Sequence, residues 1–453
     1  MNVATLRAIP FEIATALFVA LSLSYIDISL RLRGGLGFGA SNLYFALLVG
    51  VTAGALVRAA WSGHARSQLL ALYAAHRAIL LPIGGLVVFS FISTLIPTAN
   101  WTEGAHFPLL PIYDIMVVLL AMLIPLDERR RRLLRGYILV GYLILLGSVG
   151  VDVVHPGTYS LIEFRAAGFA SNPNVAAFVL VSLCCAIVSF DRVRSIDLVI
   201  IVLTALGVLA TLSRAGALLL VVLLGGYCYR AVQTSHVRLG RLAFRLVGIV
   251  STIAVAIVVG VELVQRAAVF KLPSSRLYML FGQAPLLESD DSRFSVLAES
   301  WRLIREAPFL GHGAGYTFTV TNAFWEGPHN MYLQQWINTG LGGLLCFVWL
   351  LVASAAVFWR RRSYSGMVFT AMAAIQGFFS HNLLDERAFL FLLGVLLTMS
   401  YFAEPRAARA THRVAANGRS HLTPAMATPR AVAFRRTASS AGRAMQQTNR
   451  VAQ

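Results

Sequence analysis

The chain has 453 residues, 57% of them hydrophobic and only 13% charged. Soluble domains run at about 45–50% apolar and about 25% charged, and the mean hydropathy here is +0.71. These figures exclude a soluble enzyme, a disordered chain and a disulfide-stapled secreted domain, and leave a polytopic membrane protein. The net charge of +18, from 38 basic and 20 acidic residues, would suggest nucleic acid in a soluble chain. In a membrane protein it reads as basic cytoplasmic loops, so no nucleic-acid partner is expected.

A spanning helix takes about 20 apolar residues. Apolar runs fall near 9–30, 42–61, 78–97, 106–126, 134–153, 173–190, 196–212, 214–231, 244–264, 329–359, 365–381 and 387–403, which predicts an all-α polytopic bundle of about 12 spans over residues 1–403. The first run follows Arg7, exceeds the length of a signal-peptide core and lacks a cleavage signature, so it reads as a retained helix. Cys184, Cys185, Cys228 and Cys346 sit inside apolar runs without metal-ligand spacing and read as small buried side chains.

With the N-terminus inside, the inner loops collect Arg58, Arg66 and Arg77; Arg129 to Arg132 with Arg135; Arg192 and Arg194; Arg230, Arg238, Arg241 and Arg245; and Arg360 to Arg362. Arg31 and Arg33 are the exception, in a short outer loop. The reverse orientation would put nearly every Arg cluster outside, so both termini are expected in the cytoplasm. Residues 404–453 hold nine Arg and one acid without apolar periodicity, the pattern of a disordered basic cytoplasmic tail lying on anionic lipid.

One outer loop, 265–327, is far longer than a connector requires. Its six basic residues (Arg266, Lys271, Arg276, Arg293, Arg302, Arg305) balance six acids (Glu288, Asp290, Asp291, Glu299, Glu306, Glu326). Within it Phe294, Leu297, Trp301 and Ile304 recur at helical spacing, predicting an amphipathic helix over 292–306 capped by Asp291 or Ser292 and stopped by Pro308 and Gly311. Such a helix lies flat on the leaflet or packs over the bundle. Gly311-His312-Gly313-Ala314-Gly315 follows. It reads either as a backbone nest for an anion or as a plain turn.

Next, Gly327-Pro328-His329-Asn330-Met331-Tyr332-Leu333-Gln334 runs into the tenth span. Pro328 suits a first helical position, which would put His329 in the first turn, where the helix dipole favours a neutral imidazole able to act as a base. A lone His at an interface is more often structural. Two further outer helix starts carry arginine: Arg165…Ser171-Asn172-Pro173-Asn174 before the sixth span, and Ser213-Arg214 between the seventh and eighth. Helix N-termini with guanidinium groups make an anion site, and a lipid-linked diphosphate suits it. Arg214 either serves function or snorkels to the interface, and Gly216 and Ser213 favour the first reading. Asp114, inside the fourth span, carries a weaker form of that argument. Asp27 and Glu262, near span ends, could be solvated, and His381 and Asp385 could pair at i, i+4 if the eleventh helix reaches them.

The order of these segments resembles the O-antigen ligase and polymerase superfamily of bacterial envelopes. The residues that carry the resemblance are Arg165…Gly168…Asn172-Pro173-Asn174-Val175-Ala176, Ser213-Arg214, Arg293…Trp301…Pro308-Phe309-Leu310-Gly311-His312-Gly313-Ala314-Gly315, and His329-Asn330-Met331-Tyr332-Leu333-Gln334…Gly340-Leu341-Gly342-Gly343. They cover roughly residues 160 to 345. His312 departs from the pattern, which has a small or aliphatic residue there.

The resemblance implies a GT-C type bundle in the bacterial inner membrane with one large periplasmic loop. It implies a glycosyltransferase using neither metal nor cofactor, whose donor is an undecaprenyl-diphosphate-linked glycan. The acceptor is lipid A-core for a ligase and a second lipid-linked glycan for a polymerase, of O-antigen, capsule or exopolysaccharide, and membrane lipids surround the site. Under that resemblance His329 is the candidate base, and Arg214 and Arg293 the candidates to stabilise the leaving diphosphate, with Arg276 as the alternative loop arginine. Arg165, Asn174, Asn330 and Tyr332 would line the substrate site. Ligase is the first reading, polymerase the second, and a lipid-linked-glycan transporter without chemistry the third.

Overall fold

The computed structural model describes residues 3–32, 38–61, 63–95, 110–124, 128–162, 165–191, 194–234, 287–319 and 328–403. The ninth expected span (244–264), Arg276 and the tail at 404–453 lie outside the described residues. Among the described residues the secondary structure is helical, without strands. The helices are α1 (Val3–Ser24), α2 (Ile26–Leu32), α3 (Phe38–Trp61), α4 (Gly63–Thr94), α5 (Leu110–Leu123), α6 (Glu128–Val154), α7 (Pro173–Ile187), α8 (Ser195–Thr211), α9 (Arg214–Thr234), α10 (Leu287–Glu306), α11 (Tyr316–Thr319), α12 (Met331–Arg360), α13 (Tyr364–Gln376) and α14 (Arg387–Ala403), with a 3-10 turn at Gly168–Ala170.

Among the described residues, helices lie over each of the expected spans. Four segments are long and apolar enough to cross a membrane: Arg66–Thr94, Arg130–Val154, Arg214–Gln233 and Met331–Arg360. Shorter apolar helices fill the rest, among them Pro173–Ile187, Ser195–Thr211 and Arg387–Ala403. The membrane character shows in α12. Cys346, Phe347, Leu350 and Val357 are buried, while Leu345, Val352 and Trp359, spaced seven apart, are exposed. A helix apolar on both its packed and its open face is a membrane helix rather than a surface helix of a soluble protein. The core is aromatic, with Tyr142, Phe178, Phe347, Phe358, Phe369, Phe389 and Phe391 fully buried. It forms where α12 packs along α4, α14 along α5, and α7 among α6, α8, α9 and α13. The four cysteines are free thiols; Cys184, Cys185 and Cys346 are buried and Cys228 half-buried.

Three elements depart from the sequence expectation. The first run is broken at Tyr25, whose φ of +61° ends α1 and redirects the chain into α2. The eleventh helix stops at Gln376, not near 381: Gly377 follows, and Phe379 and Ser380 donate backward to the Gln376 carbonyl in turns. His381 and Asp385 therefore share no helix, and their i, i+4 pairing is lost. Asp27 is not solvated but 3% exposed. Arg387, at the start of α14, grips both its carboxylate oxygens, with Nη1 donating at 2.8 Å. The same guanidinium lies over the rings of Tyr25 (4.7 Å) and Tyr44 (4.6 Å). Tyr25 in turn donates to the Glu386 carboxylate at 2.6 Å. Buried charge persists only when paired and hydrogen-bonded, and here one cluster ties α2, α3 and α14 together.

Candidate functional site

Two helix starts are joined by side chains. Asn172 caps α7, its side chain accepting from the Asn174 N–H at 2.9 Å, and Pro173 occupies the first helical position. Ser213 caps α9 by accepting from the Gly216 N–H at 3.1 Å. Asn174 Oδ1 bridges them, accepting from Ser213 Oγ at 3.0 Å and from the Arg165 guanidinium at 2.9 Å. Arg165 is 6% exposed, and its Nε donates to the Thr211 carbonyl at 3.0 Å. That carbonyl lies at the end of α8, where the helix dipole is negative and Leu212 turns left-handed. Arg165 thus braces the end of one helix against the starts of two others. Arg214, the first residue of α9, carries an exposed side chain at this junction.

The loop that delivers Arg165 is held by residues the sequence gave no reason to single out. Asp152, at the end of α6, accepts from the backbone N–H of Tyr159 (2.6 Å), Ala167 (3.0 Å) and Gly168 (2.7 Å). Ser148 accepts from the Phe169 N–H at 3.0 Å. Gly168 has φ +56°, and a Cβ there would strike Ser148 and the Val149 backbone, so only glycine permits this approach. The one sequence signal was a lone acid ending an apolar run.

The second group of expected residues sits at the start of α12. The helix begins at Met331, with Asn330 as its cap, accepting from the N–H of Tyr332 (3.0 Å) and Leu333 (3.2 Å). Pro328 is therefore not the first helical residue, and His329 lies just outside the helix with φ +46°, a left-handed conformation unusual for histidine. Asparagine caps a helix better than the alternatives here, which fixes the start after it. The Met331 N–H donates to the Gly377 carbonyl at 2.7 Å, and Tyr332 Oη to the Ala374 carbonyl at 2.9 Å. Both pin this start to the end of α13. His329 meets His381 edge to face, with 5.3 Å between ring centroids. Burial, and then the neighbouring His329, push the His381 pKa down from the ordinary 6.5 to about 4.

The first part of the glycine segment spends its backbone N–H groups on the fold. α12 is interrupted at Gly340 (φ 69°, ψ −168°), which frees backbone groups in mid-helix. The loop takes them up: His312 N–H donates to the Ile337 carbonyl (2.8 Å), Gly313 N–H to Asn338 (3.0 Å), and Leu341 N–H to Pro308 (3.0 Å). Trp336 Nε1 also donates to the Pro308 carbonyl at 2.9 Å. N–H groups spent this way cannot cradle an anion. His312, the residue that departs from the family pattern, is 8% exposed and donates from Nε2 to the Leu303 carbonyl at 2.8 Å, stacked on Tyr316. The amphipathic helix α10 starts at Leu287, earlier than the expected 292, and places acids at its positive end. It packs over α12 through Leu303 and Ile304 against Leu333 and Ile337, with Trp301 edge-on to Trp336. Arg293 belongs to α10; its side chain, like all of Arg276, is outside the described residues.

These groups share one end of the bundle. α9 and α13 run antiparallel: Arg230 lies 4.0 Å over the Tyr364 ring, and the Tyr364 hydroxyl donates to Gln233 at 2.7 Å. The finish of α13, with Gly377 and His381, is therefore where α9 begins. Arg165, Asn174 and Ser213 form one hydrogen-bonded unit with Arg214 beside it; Asn330 and Tyr332 are bonded at the start of α12, next to His329, whose ring meets His381. Asn330 and Tyr332 spend polar atoms on the fold, as cap and as clamp. Among the described residues no group of three or more His, Cys, Asp or Glu side chains could hold a metal ion.

Residues 199–348, about a third of the chain, match the Wzy_C family, described as O-antigen ligase. No curated protein matches the chain. The match runs from α8 through the first half of α12, and so takes in Ser213, Arg214, the glycine clasp and His329, but not Arg165 or Asn174.

Proposed function

On the premise of the match over residues 199–348 to the O-antigen ligase family, we propose that the chain belongs to the O-antigen ligase and polymerase superfamily and is an O-antigen ligase acting at the periplasmic face of the inner membrane. Membership implies a membrane glycosyltransferase of ligase or polymerase type, working on lipid-linked glycan. In the proposed reaction an acceptor sugar hydroxyl attacks the anomeric carbon of a glycan carried on undecaprenyl diphosphate. A carbon–oxygen bond forms to the acceptor, and the anomeric carbon–oxygen bond to the diphosphate breaks. His329 takes the hydroxyl proton. The bonding pair leaves on the diphosphate, whose growing charge Arg214 and Arg293 stabilise. Arg276 is the alternative in the outer loop.

The observation that carries this reading is the junction of Arg165, Asn174 and Ser213. It holds two helix N-termini together with Arg214 exposed beside them, at the bundle end that also carries His329. Paired N-termini and guanidinium groups suit a diphosphate. The arginine-rich connections Arg129–Arg132 and Arg360–Arg362 lie at the other end, which supports a periplasmic site and cytoplasmic termini. Lipid A-core is the acceptor of a ligase; a polymerase would use a second lipid-linked glycan in the same chemistry.

The test is a gel of lipopolysaccharide from a strain deleted for the protein, run beside its undecaprenyl-linked glycans. Loss of the ladder with long polymer accumulating on undecaprenyl is expected. Core bearing a single repeat would make it a polymerase, and an unchanged ladder would remove O-antigen. In the complemented strain His329→Ala and Arg214→Ala should each abolish transfer while the protein inserts at normal levels. Near-native transfer by either variant would overturn that residue's assignment.

A further inference from the structure

His329 depends on its surroundings for its aim. Its backbone is left-handed, a conformation costing about 1 kcal/mol or more outside glycine and kept only where neighbours impose it. One constraint comes from the chain: Asn330 caps α12, and the Met331 N–H is tied to the Gly377 carbonyl at 2.7 Å. A second comes from across the fold. The segment between Gly377 and Glu386 is folded on itself, with Asn382 N–H donating to Ser380 Oγ (3.2 Å) and Asp385 N–H to the Asn382 carbonyl (3.0 Å). Its far end is anchored by Glu386 on Tyr25 and Arg387 on Asp27. This anchored segment presents His381 edge to face against His329, at 5.3 Å and 69° between ring planes.

We infer that His381 is a positioning residue for His329: its ring, fixed by the Gly377–Glu386 segment, sets the orientation in which the His329 imidazole meets the acceptor hydroxyl. The inference rests on His329 being the base. His381 acts on the reaction through the ring it touches, and the contact needs an aromatic face or edge rather than a second titrating group. A ring at this place restricts rotation of the His329 side chain, and a base held in a near-attack geometry gains rate in the turnover step rather than in binding.

The experiment uses the full-length protein in proteoliposomes, with lipid-diphosphate-linked glycan extracted from the same bacterial membranes as donor and purified lipid A-core as acceptor. Four variants are compared: His381→Ala, His381→Phe, His329→Ala and the double alanine variant. His381→Ala should lower kcat by about 10- to 100-fold while changing the donor KM by less than about twofold. His381→Phe, which keeps a ring, should recover most of the loss. The double variant should be no slower than His329→Ala alone, because a positioning residue has nothing to position once the base is gone. Native kcat in His381→Ala, or a raised KM with kcat intact, overturns the inference. So does an additive double variant, the signature of a structural role unrelated to His329. If His329→Ala itself turns over normally, it is the reading of the base that fails. Should His381→Ala not assemble, His381→Phe against His381→Gln decides: equal rates overturn a role for the ring.

Discussion

Arg165 works through the shape of its side chain as much as through its charge. Nε reaches the Thr211 carbonyl while a terminal nitrogen reaches Asn174, two directions that only a planar guanidinium serves together. Arg165→Lys keeps the charge and loses one of the two bonds, at a cost of about 1.5–3 kcal/mol for a charged hydrogen bond. A lower melting temperature in detergent and weaker transfer are expected; an unchanged melting temperature would count against the brace. At His381 the histidine pKa of about 4 lies below the ordinary 6.5. The unfolded chain then binds the extra proton first as pH falls, so this group's contribution to stability is present above about 6.5 and is lost on the way down to 4. His381→Phe should flatten the fall in melting temperature across that window, and an identical pH profile in the variant would refute the assignment. The sequence made Arg165 and Asn174 visible, because Asn-Pro-Asn announces a helix start. It could not show that His381 faces His329, since the i, i+4 reading assumed a helix that ends at Gln376.

Among the elements, α12 depends most on one residue. Gly340 breaks it with φ 69° and ψ −168°, and a Cβ there would collide with the Phe309 carbonyl. Gly340→Ala should destabilise the protein by more than the roughly 1–3 kcal/mol of backbone strain alone, seen as a fall in melting temperature together with loss of transfer. A variant as stable as the parent would mean the clasp is dispensable. The apolar runs predicted where the helices lie, because membrane helices carry their own backbone hydrogen bonds and need only length and hydropathy. The interruption within α12 was hidden by the same hydropathy: Gly340 sits among Gly342, Gly343 and leucines that read as one continuous span. The glycine loop stayed open between a nest and a plain turn for a related reason. The N–H groups of His312 and Gly313 are donors to carbonyls 25 residues downstream, a pairing no local pattern reports.

Over the whole molecule, the Asp27–Arg387 pair links the first and last described helical regions. Removing one partner leaves an uncompensated buried charge, typically worth about 3–5 kcal/mol. Arg387→Met should therefore lower stability sharply, and adding Asp27→Leu should restore much of it, as read by thermal unfolding in detergent. If the double variant is as unstable as the single one, the pair is not the seat of the effect. Arg387 did not stand out in the sequence, and Asp27 read as a solvated charge. Each lies near the end of an apolar run, where a charge normally meets water, and only the fold brings them together across 360 positions.

The clasp also sets where the chain can be lengthened. On one side, His312 and Gly313 are fastened to Ile337 and Asn338; on the other, Met331 is fastened to Gly377. These two moorings share no bond, so a peptide inserted between residues 320 and 327 is expected to leave both in place. An epitope placed there becomes a reporter of sidedness in intact cells, readable by antibody before and after the outer membrane is breached, with α10, α12 and His329 left in place.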